Sequence, residues 1–218
     1  MNKATRTIVA TLGAIFGLSG IGHGLFETFQ GNTPTGGLFI SAIGEAYRMW
    51  PHGNEYALTL IPNFLVTGIA AMIVGLAIII WSVGFVHKNG GPTVFILLFV
   101  LLLLVGGGIA QILFFPLIWA ISTRINKPLT WWRKILPLRI REPFGKLWPW
   151  LLIVCSSLVV FVLEIGVFGF VPTISDPDAV LSIMLSCLGI GYGLLLLTFV
   201  AGLAHDVAMK PNIVPDEK

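Results

Sequence analysis

A histidine and a glutamate four residues apart inside an apolar run are the first sign of chemistry in this chain. His23 and Glu27 lie in the stretch Gly20-Ile21-Gly22-His23-Gly24-Leu25-Phe26-Glu27. Helical spacing of four puts both on one side of a helix. Glu27 also extends a stripe made by Gly13, Gly17, Gly20 and Gly24, so its carboxyl is expected to point into a bundle. There it either keeps its proton or ionises against a cation, and His23 could supply that cation. The plain alternative is a pair near a helix end that reaches interfacial water and only orients the helix.

Other polar residues sit at similar depths. Glu164 is expected roughly 10 Å inside its run, at 1.5 Å per residue, with no basic residue at that level. It reads as a second proton or cation site, and with Glu27 it suggests a proton path. Asn63 and Gln111 are neutral polar groups within reach of the same region. Tyr192, between Gly191 and Gly193, is expected to bond across the bundle or to floor a cavity. The candidate ligand or proton site is therefore His23, Glu27, Asn63, Gln111, Glu164 and Tyr192.

A metal set is conceivable from His23, Glu27, His52 and His205, since imidazole and carboxylate are suitable ligands. It requires His205 and Asp206, at the end of the last apolar run, to come near His23. Their spacing fits no metal motif, and no cofactor is predicted. G-x-S-x-G, H-E-x-x-H, P-loop and dinucleotide signatures are all missing.

The elements that must position these residues are membrane helices. Of 218 residues, 56% are hydrophobic and 11% charged, against about 25% charged in a soluble domain. That excludes an ordinary soluble domain and a nucleic-acid binder. A spanning helix needs about 20 apolar residues. Five runs qualify: about 7–29, 59–86, 93–123, 147–171 and 179–204. The expected fold is an all-α bundle of five transmembrane helices forming one polytopic membrane domain, residues 1–218. A short interfacial or re-entrant helix is expected over 38–50, where the apolar pattern is too short and charged to span. Gly106-Gly107-Gly108 and Pro116 make the third run the least regular, with a bend or kink expected. Asp178 is a candidate cap for the fifth helix. Cys155 and Cys187 read as plain buried thiols.

Residues 124–146 hold seven Lys and Arg against one acid, Glu142. The positive-inside rule makes this loop cytoplasmic and a seat for anionic lipid headgroups. Five spans then put the amino terminus outside and the carboxyl terminus in the cytoplasm, in a cell membrane. The charges of Lys3 and Arg6 oppose that orientation. Glycine stripes are expected to be packing faces between helices, or between copies of the chain or a partner subunit. Three functions fit: transport or small-ligand binding through the polar site, a membrane-embedded metal-dependent enzyme, or an accessory subunit. The first is favoured because Glu27 lies on the packed stripe.

Overall fold

The computed structural model describes residues 1–209. Four of its helices are long and apolar enough to cross a membrane: α1 (Lys3–Phe29), α2 (Phe64–Gly84), α7 (Trp148–Phe168) and α8 (Pro177–Ala208). These are the first, second, fourth and fifth apolar runs. Their outward faces carry bare apolar side chains, such as Ile69, Ile73, Leu76 and Ile80 on α2. A face of that size suits lipid, not water.

The glycine stripe of α1 is where α2 and a shorter helix, α3 (Gly91–Leu104), pack. A Cβ on Gly17 would strike the Gly75 carbonyl, and one on Gly24 would strike the Gly68 carbonyl. Gly13 faces Ser82 and Phe95, and Gly20 faces Leu102. Without side chains at these points the two backbones touch, and dispersion contacts replace the missing hydrophobic drive. The glycines of α8 differ. Gly191 is buried, while Gly189 and Gly193 face outward with nothing near them.

The third apolar run is not one helix. The chain rises through α3, alongside and parallel to α1, then breaks at Gly106 and Gly108. Both have positive φ, +100° and +90°, a conformation that favours glycine. After a 3-10 turn over Ala110–Leu113 it returns through α4 (Phe115–Ser122). The return is marked by a ladder down α1: Gln111 meets Ser19, Phe114 and Phe115 meet Phe16, and Ile125 meets Asn2. Pro116 lies in the first turn of α4, where its missing N–H costs nothing. Residues 91–125 thus run out along α1 and come back. A count of apolar residues cannot separate one long pass from two short arms.

The segment between α1 and α2 holds a small antiparallel pair instead of the expected helix: β1 (Phe39–Ser41) and β2 (Tyr56–Leu58), with Ile40 opposite Ala57. Only a single 3-10 turn, Glu45–Tyr47, is helical there. The glycine break lies along the other edge of β2. Gly106 donates its N–H to the Leu58 carbonyl, and Ile109 to the Tyr56 carbonyl. Backbone groups exposed by breaking the third helix are thereby satisfied, as buried backbone requires.

Helices α5 (Thr130–Ile135) and α6 (Leu138–Lys146) gather at the opposite end, with α6 against the end of α8. Asn2 donates its side-chain amide to the Arg124 carbonyl at 2.6 Å. Asp206 accepts from the Ala4 and Thr5 amides at 3.0 and 2.8 Å and from the Thr5 hydroxyl at 2.7 Å. A carboxylate at the start of α1 also suits its dipole. The start of α1, the basic segment and the end of α8 therefore share one end of the bundle. Five straight runs would have put the start of α1 and the basic segment at opposite ends, but the out-and-back third run brings them together.

Candidate functional site

The site forms where α1, the β1–β2 segment, the glycine break, α7 and α8 meet. The α7–α8 pair rests on α1 low in the bundle, and a partly open cavity of about 600 Å³ lies between them and the hairpin. That volume is in the range of small-molecule sites. The lining is graded. Phe16, Phe114, Val159, Leu188 and Gly191 form the deep, apolar part. His23, Asn54, Glu55 and Gln111 form the polar end beneath the hairpin. Phe16 and His23 are seven residues apart on α1, so the two ends are roughly 10 Å apart.

His23 does not pair with Glu27. Its Nε2 meets the Glu55 Oε2 at 2.5 Å. Glu55 reaches it because the β1–β2 pairing folds the connection back over the end of α1, and Ala42 donates its N–H to the Glu55 carbonyl. Burial pushes the Glu55 carboxyl up, but the charge and hydrogen bond of His23 pull it down further, so it lies below the ordinary carboxylate value. The other ring nitrogen, His23 Nδ1, is buried with no partner. The ring lies against Gly108, where a Cβ would hit it. Gln111 is 3% exposed. Its amide donates to Ser19 Oγ at 3.1 Å, and its Oε1 has no partner. Two buried, unpartnered polar atoms therefore belong to side chains that line the polar end.

Glu27 is fully buried, as its place on the stripe implies, and neither carboxyl oxygen has a partner. It lies against Gly106, and a Cβ there would meet both oxygens. It borders the site without lining the cavity. A charge held there without a partner would cost several kcal/mol.

The remaining expected residues lie elsewhere. Asn63 caps α2, its Oδ1 accepting from the Val66 amide at 3.1 Å, and its Nδ2 donates to Asn32. Glu164 faces outward one turn from the end of α7. It is at the same end of the bundle as Glu27, so the two do not mark opposite ends of a path. Tyr192 stacks edge-on against Phe114 with ring centres 5.8 Å apart. That places it behind the deep wall. His205 sits against Trp148 at the far end, away from His23, because α8 runs the length of the bundle. The four candidate metal residues therefore do not converge, and no group of three or more such ligands occurs among the described residues.

His52 lines the cavity mouth, and its Nε2 contacts Asp178 Oδ1 at 2.9 Å. Asp178 is thus a partner for the hairpin, while Asp176 caps α8. Trp50 donates to the Gly166 carbonyl at 3.0 Å and packs on Gly169, where φ is +61°. Together these contacts fasten the hairpin to the α7–α8 turn. Sequence reasoning missed Glu55. It lies in a polar connection 32 positions from His23, and no spacing rule joins a helix to a loop residue that far away.

No family model, curated protein or solved structure matches the chain, so the cavity and its residues carry the functional reading by themselves.

Proposed function

We propose that this membrane protein binds a small amphipathic ligand in the cavity between α1, the hairpin, α7 and α8, as a ligand-binding or transport protein. One observation carries the reading: a graded cavity of about 600 Å³ is apolar along Phe16, Phe114 and Leu188 and ends in His23, Asn54, Glu55 and Gln111. A ligand head seated at that end would meet these polar side chains, and its apolar body would lie along the rest of the cavity. The alternative of an accessory subunit is less favoured, because the α1 glycines that a partner helix would need are covered by α2 and α3.

The bundle end that carries the start of α1 and the basic segment faces the cytoplasm in this reading. Ten of the eleven Lys and Arg of the described residues are at that end, and Arg48 alone is at the other. So strong a bias sets orientation by the positive-inside rule. The cavity then opens beneath the outer face, and α5 and α6 lie on anionic headgroups. Their exposed Trp131, Ile135, Leu138 and Ile140 suit the interface.

Photoaffinity labelling tests the ligand site. An alkyl diazirine carrying a polar head, applied to the protein in lipid nanodiscs, is expected to mark peptides spanning 159–166 and 184–191. Label confined to outward residues such as Ile73 and Leu196 would count against the cavity.

A further inference from the structure

The polar end of the cavity also limits what kind of head it can accept. This deeper reading rests on the ligand-binding proposal above. Glu55 is the carboxylate of the cavity lining, and one of its oxygens is held by His23. Its other oxygen, Oε1, packs near Gly166 of α7, and no hydrogen bond is assigned to it among the described residues. Gln111 lines the same end, its amide held by Ser19. Glu55 and Gln111 are held near each other because Ile109, two residues before Gln111, donates to the carbonyl of Tyr56, the residue after Glu55. Neither Lys nor Arg lines the cavity among the described residues. Aromatic rings do: Phe16, Phe39, Tyr56 and Phe114.

Each part excludes or favours a head group. An anionic head would face the Glu55 carboxylate with no cation except a histidine already paired. An acceptor-only head would bring no donor to the free oxygen of Glu55. A quaternary ammonium would bring charge but no N–H for that oxygen. An ammonium bearing N–H supplies both the charge and the donor for Glu55, and attraction to the aromatic faces. The geometry points to a lipophilic primary or secondary amine as the ligand, its ammonium at Glu55 and Gln111 and its apolar body between α1, α7 and α8.

The test uses three probes of equal chain length: decylamine, decanol and decanoate. Binding is measured to the full chain in nanodiscs of neutral lipid, with empty nanodiscs subtracting partition into the bilayer. Two substitutions report on the head site, Glu55→Gln and Gln111→Leu. A third, Leu188→Trp, fills the deep part. Decylamine is expected to bind about tenfold more tightly than decanol, or ~1.4 kcal/mol. That preference should largely vanish in Glu55→Gln and shrink in Gln111→Leu. The second variant keeps the test valid if the first loosens the hairpin. Leu188→Trp should weaken both decylamine and decanol. If decanol or decanoate binds as well as decylamine and Leu188→Trp still blocks it, the amine assignment is overturned and the cavity reading stands. If no probe distinguishes the protein from Leu188→Trp, both readings fail.

Discussion

His23 holds Glu55 through one ring nitrogen, and this contact fastens the hairpin to α1. Removing the charge with Glu55→Gln should lower stability by about 1.5–3 kcal/mol, the usual worth of a hydrogen bond to a charged group. The pH dependence has a definite sign. Glu55 lies below its ordinary value of 4.5 in the folded chain. Its contribution is therefore complete above about pH 4.5 and is lost as pH falls through the lowered value. The difference in melting temperature between the parent and Glu55→Gln should shrink below pH 4.5, and a difference that grows on acidification would contradict the pairing. Glu27 makes the opposite case. Its two oxygens are buried and unpartnered, so an apolar side chain of similar length should be tolerated. Glu27→Met is expected to leave the melting temperature unchanged or raise it. A clear fall would show that the carboxyl has a partner in the working protein. Its burial was legible from its place on the glycine stripe; its separation from His23 was not, because the competing partner comes from a distant loop, just before β2.

The glycines of α1 and α2 do their work at the scale of elements. Gly24 and Gly68 face each other so closely that a Cβ on either would meet the other's carbonyl. Gly24→Ala should therefore cost about 1–3 kcal/mol, the usual penalty for overpacking. Gly22 has nothing within 4 Å, and Gly22→Ala should be neutral or slightly stabilising. Thermal unfolding in detergent compares the two, and equal effects would mean that α1 and α2 do not touch there. This packing was readable because a spacing of four, three and four has only one helical interpretation. The interruption of the third run was half readable. Gly106, Gly107 and Gly108 marked the break, but nothing local says that the chain reverses there. The reversal depends on β2 offering the Leu58 and Tyr56 carbonyls to the broken segment, and three-residue strands such as Phe39–Ser41 are too short to leave a pattern.

The out-and-back course of residues 91–125 governs the whole molecule. It brings the start of α1, the 124–146 segment and the end of α8 to one end of the bundle, and in the orientation proposed above it removes the conflict between Lys3 and Arg6 and the basic segment. Single cysteines introduced at Arg48 and Lys134, with Cys155 and Cys187 replaced by serine, should react with an impermeant maleimide from opposite sides of sealed membranes. Position 48 is expected to label from outside, and labelling of both from one side would overturn the arrangement. The same architecture leaves the α7–α8 pair apart from α1 beneath the hairpin, and that separation creates the cavity. The cavity was beyond the sequence, since it depends on how three elements splay. Its existence as a ligand site is tested most directly by native mass spectrometry of the protein released from its own membranes, beside Leu188→Trp. The expected result is a small molecule retained at one per chain by the parent and absent from the variant. A parent chain that carries nothing, or an adduct equally present in Leu188→Trp, would contradict a ligand site in this cavity.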